Sequence, residues 1–332
     1  QGRAFQVHPD GGTVERSRDS TASCTKSAGS ENSARRLDSA EAGRYTLCRN
    51  ATRYQSWWGR DASDMSSSTE KVRTIELQGV PVDVVFKGAG PQLFLLHGGG
   101  GPVASMPFAD SLSEQFEIIA PVHPGFAGSA IPDHFDDLQD LIYLYLDLMD
   151  TLDLQDAVMM GFSMGGWTAA ELAVLSTARI SRLILVDAVG VKVGGRDDRD
   201  IVDVFATPQE ELTKLMWHDP GKAPNPSQMT DEQRQIMQSN RVALGLYTWQ
   251  PYMHNPKLPR RLHRIDVPAL VLWGESDGLV TPDYGRAYAG MIRNAAFAVI
   301  PAAGHAPQVE QPEVFVQHVL SFVNDTSEGS PS

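Results

Sequence analysis

Cysteine is nearly missing from this chain. Cys24 and Cys48 are the only two, and none follows. Beyond position 48, a disulfide, a cysteine-built metal site and a cysteine nucleophile are excluded. Long apolar runs are missing as well: no stretch of about 18 apolar residues occurs, so no membrane span is expected. Basic residues are in short supply, 28 Lys+Arg against 41 Asp+Glu, for a formal net charge of −13. That deficit argues against nucleic acid as a partner, because phosphates need a basic face. The acidity reads as a solvated surface. The apolar core of a secretory signal is also lacking, and the expected location is cytoplasmic.

The first 68 residues are of a different kind from the rest. They are rich in Ser, Arg, Thr and Gly and slightly basic, without sustained helical or strand periodicity. Residues 1–68 are expected to be a disordered extension, with 1–64 playing no part in catalysis. Met65 reads as a natural start, leading through "SSSTEKVRTIEL" into a first strand. Asn50-Ala51-Thr52 fits the N-glycosylation triplet, a pattern common by chance. Residues 326–332 are expected to be a disordered tail.

What remains is long enough for one large domain with an insertion. From residue 72, short apolar runs alternate with helical patterns. "RTIEL" and "VDVVF" read as opening strands, split by Gly79 and Pro81. "QLFLL", "FEIIA", "AVMMGF", "RLILVDA", "ALVLWGE" and "AAFAVIP" read as further strands. "LQDLIYLYLDLMDTL", "GGWTAAELAVLS" and "PEVFVQHVLSFV" read as helices. Strands alternating with helices imply an α/β fold, a mostly parallel sheet with helices on both faces. The rhythm breaks over 191–264, which is expected to form a helical cap. The core is then 69–190 with 265–325. Trp217, Met229, Met237, Leu244, Tyr247, Trp249 and Met253 in the cap are expected to need burial.

The stretch "GFSMGGW" follows one of these strands and opens a helix. A serine exposed on so sharp a turn takes a strained backbone, with no room for side chains two positions either way. Gly161 and Gly165 occupy those positions around Ser163, and Gly166 lets the helix start close to the sheet. The Met164 N–H then points from a helix N-terminus at developing negative charge. Upstream, "LLHGGGGP" offers backbone N–H groups unobstructed by side chains. Gly99 is the candidate second oxyanion donor, with Gly98 and Gly100 as neighbours, and His97 is expected to anchor the loop. "VLWGESDGLVTP" supplies Asp277 as the candidate acid, with Asp187 as the alternative and Glu275 as a loop brace. "IPAAGHAPQVEQPEVF" places His305 after the last strand as the candidate base.

The order Ser163, Asp277, His305, with "HGGGGP" upstream, resembles the α/β-hydrolase family over about residues 72–323. The resemblance implies an eight-stranded sheet with a cap inserted after the sixth strand, and a loop after the fourth strand at "HPGFAGSAIP". Serine at the turn argues against the family's dehalogenases and epoxide hydrolases, which use aspartate there. "HGGGGP", "SMGG" and "GHAPQVEQP" are most similar to the hydrolases that cleave carbon–carbon bonds in aromatic ring-fission products. Those enzymes usually carry asparagine before the nucleophile and tryptophan after the histidine, where this chain has Phe162 and Ala306.

The expected activity is therefore that of a carboxylesterase-type serine hydrolase acting through an acyl-enzyme, with no metal or organic cofactor. Phe162, Trp217 and Trp249 are the candidate pocket residues, and the expected substrate is a small, uncharged ester. A carbon–carbon hydrolase or lactonase, a serine aminopeptidase and a non-catalytic ligand receptor are the alternatives. The aminopeptidase would need acids in the cap for the substrate amine; Asp203, Glu210, Glu211, Asp219, Asp231 and Glu232 read instead as helix-surface positions. No nucleic-acid partner is expected, and a homodimer is an allowed state.

Overall fold

The computed structural model describes residues 46–47, 70–102 and 106–325. The extension expected over 1–68, Thr46 and Leu47 apart, lies outside the described residues, as do the glycosylation triplet and the tail after 325.

Among the described residues nine strands form one sheet. They are β1 (Thr46–Leu47), β2 (Lys71–Leu77), β3 (Val80–Lys87), β4 (Gln92–Leu96), β5 (Glu117–Pro121), β6 (Ala157–Phe162), β7 (Ile180–Val186), β8 (Ala269–Gly274) and β9 (Ala295–Ile300). Their order across the sheet is β1-β2-β3-β5-β4-β6-β7-β8-β9. The eight from β2 onward make the expected mostly parallel sheet, and β1 pairs antiparallel with β2 at its edge. Within those eight only β3 opposes its neighbours; every pair from β5–β4 to β8–β9 is parallel. β6 and β8 are buried along their whole length, as parallel strands covered on both faces must be.

Pro81 does not split β2 from β3 but lies inside β3. Gln78 and Gly79 make the turn, both at positive φ. The ring is tolerated because β3 meets β5 only from Val84 onward, so no partner strand awaits its missing N–H.

Among the described residues the α-helices are α1 (Pro107–Ser113), α2 (Leu138–Thr151), α3 (Met164–Leu175), α4 (Gln209–Met216), α5 (Asp231–Thr248), α6 (Pro282–Ala289), α7 (Pro307–Glu310) and α8 (Pro312–Asn324). Phe108 of α1 and Phe315 of α8 meet edge-on and close over Phe162 of β6. α1 and α6, only seven and eight residues long, are not among the helices expected from the sequence. α6 carries Gly285 in its middle, where the Trp273 ring leaves no space for a side chain.

After β7, the sixth strand counted from β2, the chain leaves the sheet for α4, α5 and several short 3-10 turns before returning as β8. A Thr230/Gln233 capping box starts α5: Thr230 Oγ1 accepts from the Gln233 amide, and Gln233 Oε1 accepts from the Thr230 amide. The face of α5 toward the core carries Asn240, Ala243, Leu244 and Tyr247, at helical spacing. Trp249 lies two positions past Tyr247, roughly 200° around the helix. It is accordingly 58% exposed rather than buried, stacked edge-on against Phe205 and Tyr252. Met237 is also exposed.

Candidate active site

Ser163 sits where β6 gives way to α3, with φ 51° and ψ −113°, a conformation costing of order 1–3 kcal/mol for a residue with a Cβ. The surroundings hold it there. A Cβ on Gly165 would overlap the carbonyl oxygens of Leu96 and His97, and one on Gly161 would overlap the Gly165 carbonyl. The strand, the turn and the glycine loop are therefore packed backbone to backbone, and the hydroxyl is lifted off the end of the sheet.

His305 arrives from the loop after β9. Its Nε2 is 3.0 Å from Ser163 Oγ and its Nδ1 is 2.7 Å from Asp277 Oδ2. Asp277 is buried, and its other oxygen accepts from the amides of Leu279 and Val280 at 2.9 and 3.0 Å. Asp277 thus holds the imidazole in the tautomer that leaves Nε2 free to accept from the serine.

Asp187 lies behind this pair, its carboxylate within 4.8 Å of the other two groups. It accepts from the Gly274 amide at 2.8 Å. Burial, reinforced by the neighbouring Asp277 carboxylate, pushes the Asp187 carboxyl well above the usual range. Of the two acids read from the sequence, Asp277 is the one hydrogen-bonded to His305.

The glycine loop is clamped from below by histidines. His97 Nδ1 is 2.8 Å from the Gly98 carbonyl, and its Nε2 accepts from the His123 amide at 3.0 Å. His123 Nε2 is 2.8 Å from the His97 carbonyl, and its Nδ1 meets the Tyr145 hydroxyl. Each ring therefore has one donor and one acceptor nitrogen, the neutral form. Burial depresses both imidazoles, that of His123 to about 4. The clamp sets a direction. In a trans peptide the carbonyl and the next N–H point opposite ways, so holding the Gly98 carbonyl aims the Gly99 N–H. Neither the Gly99 nor the Met164 amide donates to another group among the described residues.

The three expected pocket residues differ in their surroundings. The Phe162 ring packs with Phe108 and Phe315 in the aromatic core described above. Trp249 lines a cavity of about 260 Å³ with Arg196, Arg199, Tyr252 and His254, which includes none of Ser163, Asp277 and His305. Trp217 is buried at the end of α4; the preceding carbonyl, that of Met216, accepts from the His305 amide at 2.7 Å. One brace was not read from the sequence. Glu310 of α7, buried, accepts from Gly304, His218 and Asp219 amides, tying the His305 loop to the insertion. "GHAPQVEQP" contains it, but no local signal gives it that task.

A serine on a strained strand-to-helix turn, with an imidazole and a carboxylate in line behind it on a mostly parallel sheet, defines a hydrolase of the α/β type. The chain belongs to the α/β hydrolase family, whose profile matches residues 93–318. It is 27% identical over 282 residues to the 2-hydroxy-6-oxo-6-(2'-aminophenyl)hexa-2,4-dienoic acid hydrolase of Metapseudomonas resinovorans, covering 79% of this chain and 94% of that protein. The naproxen esterase of Bacillus subtilis superposes with a TM-score of 0.63 at 20% identity, covering 84% of this chain and 100% of that one. The 2-hydroxy-6-oxo-6-phenylhexa-2,4-dienoate hydrolase of Rhodococcus sp. strain RHA1 superposes at 0.64 and 21% identity, covering 78% and 100%. A dienoic acid hydrolase thus stands among its relatives, and a dienoate hydrolase and an esterase stand among its structural neighbours. No helix among the described residues is long and apolar enough to cross a membrane.

Proposed function

We propose that this protein is a carboxylesterase-type serine hydrolase. The observation that carries the proposal is the unbroken line Ser163 Oγ, His305 Nε2, His305 Nδ1, Asp277 Oδ2, at 3.0 and 2.7 Å. His305 takes the hydroxyl proton as Ser163 Oγ attacks the ester carbonyl carbon. The carbonyl oxygen becomes an oxyanion received by the Gly99 and Met164 N–H groups, and Asp277 stabilises the imidazolium. Collapse of the tetrahedral intermediate breaks the bond to the alkoxy oxygen, which leaves as the alcohol with the proton from His305. Water, deprotonated by His305, then attacks the acyl-serine and releases the acid.

An uncharged substrate is favoured by the engagement of three cations of the insertion within the protein, and by Arg196 and Arg199 lining a cavity that includes none of Ser163, Asp277 and His305. Arg241 donates to the Val204 and Phe205 carbonyls, Lys222 to the Glu310 carbonyl, and Lys214 pairs with Glu210. A substrate amine is disfavoured likewise: Asp203 caps the Phe205 and Ala206 amides, Asp219 caps Gly221, and Asp231 pairs with Arg234. Carbon–carbon cleavage is the second reading, favoured by the similarity to the dienoic acid hydrolase over nearly all of that protein.

Turnover of p-nitrophenyl esters of increasing chain length, beside a dienoate and an aminoacyl anilide, separates these readings. Ester hydrolysis with the highest kcat/KM, abolished in Ser163→Ala while the fold persists, is the expected result. Ester turnover in Ser163→Ala near the wild-type rate contradicts it.

A further inference from the structure

A run of four glycines has no side chain to resist rotation of its peptide planes. A donor on such a loop has a fixed direction only if something outside the loop holds it. The loop forms a turn closed by the Gly101 amide on the Gly98 carbonyl, at 3.1 Å. His97 holds the first plane from the core side, as described. The plane between Gly100 and Gly101 is held from the other side, by the insertion. Asn240 of α5, 2% exposed, donates from Nδ2 to the Gly100 carbonyl at 3.1 Å. Its Oδ1 accepts from the Ala127 amide at 2.8 Å. Ala127 is itself at positive φ, 51°, in the loop that also carries His123.

The fit around this amide is close. A Cβ on Gly101, whose φ is 102°, would come within 2.8 Å of Asn240 Nδ2. One on Gly99 would come within 2.8 Å of Leu244, one turn further along α5. Tyr247, on the next turn, donates to the Pro124 carbonyl at 2.9 Å. Among the described residues, Asn240 is the one side chain of this helix face that bonds both core loops.

We infer that Asn240 is a positioning residue for the oxyanion donors: His97 holds the Gly98 carbonyl and Asn240 the Gly100 carbonyl, so the glycine turn that presents the Gly99 N–H is fixed at both ends only while α5 is seated. Seating of the insertion and assembly of the oxyanion site are then one event, and a substrate that displaces α5 on its way in meets an incomplete site until the helix returns. This inference rests on the reading of Ser163 as nucleophile.

The test uses Asn240→Leu, which removes both bonds, Asn240→Asp, which keeps the acceptor for Ala127 but turns an oxygen toward the Gly100 carbonyl, and Tyr247→Phe. The last loosens the same helix without touching the glycine turn. With p-nitrophenyl acetate, both Asn240 variants should lose about 30-fold in kcat, short of the 10²–10³ for outright loss of a donor, with KM changed less than about threefold. Tyr247→Phe should keep kcat within about threefold. Hydrogen exchange of the full-length protein should show the 97–102 segment exchanging about tenfold faster in the Asn240 variants and unchanged in Tyr247→Phe. Should Asn240→Leu fail to fold, Asn240→Asp carries the same readouts. Unchanged kcat and unchanged exchange in the Asn240 variants, or an equal fall in Tyr247→Phe, overturns the inference. If the wild-type protein hydrolyses no ester, the proposed function fails, and the exchange measurement alone decides whether Asn240 holds the loop.

Discussion

Ser163 and Asp187 are both held at positive φ, 51° and 44°, at the ends of adjacent strands. The strain has opposite results at the two residues. It turns the serine hydroxyl outward to His305, and it turns the Asp187 carboxylate inward to the Gly274 amide. The two buried acids near His305 should therefore respond differently to loss of charge. Asp277→Asn replaces the acceptor of His305 Nδ1 with a group that can stabilise the wrong tautomer, and kcat should fall ~10⁴-fold. Asp187→Asn changes a group that bonds the Gly274 amide and not the imidazole, and kcat should stay within about fivefold. Steady-state kinetics on one p-nitrophenyl ester, with thermal melts of both variants, measures the contrast; equal losses would assign the two acids a shared role.

Along the elements, position on a helix decides more than residue type. On α5 the stripe that meets the core is Asn240, Ala243, Leu244 and Tyr247, and Trp249 falls outside it. Trp249→Ala should accordingly change stability by less than about 1 kcal/mol and kcat/KM by less than about twofold. Chemical denaturation and ester kinetics check this; a large loss of kcat/KM would return Trp249 to the substrate pocket. The same helix shows which features were legible beforehand. The strand, glycine-serine turn and helix around Ser163 could be read because their constraints are local, fixed within a few residues of Gly161 and Gly165. The strands of the sheet could be read because buried parallel strands are continuous apolar runs. Asn240 could not, because its partners Ala127 and Gly100 are 113 and 140 residues away and a polar residue within a helix carries no mark of what it will face. Asp187 and Asp277 both follow strands, and only the backbone turn at each distinguishes them. Trp249 departs from the expected burial because hydrophobicity indicates a preference for burial, not which way a helix is rotated.

For the whole molecule, the insertion is built into the site at both ends. Met216 and Leu215 carbonyls accept from His305 and Gly278 amides, and Asn240 holds the glycine turn. The two neutral histidines beneath that turn make the fold sensitive to acid. Each has a folded-state imidazole depressed from the ordinary 6.5, so the unfolded chain binds more protons below that value. The histidine contribution to stability is complete above about pH 6.5 and is lost as pH falls toward the folded value of about 4 for His123. The slope is roughly 1.4 kcal/mol per pH unit for each histidine. Urea melts between pH 7 and 4.5 should show a steep decline, shallower in His123→Gln, a neutral replacement at that position.

The most direct measurement is covalent. A fluorophosphonate reacts with a serine made nucleophilic by a neighbouring base and leaves a stable adduct. Mass spectrometry of the digested protein should find one adduct per chain, on the peptide bearing Ser163, and none in His305→Ala. An adduct on another residue, or undiminished labelling of Ser163 in His305→Ala, would contradict a nucleophile at 163 activated by the imidazole at 305.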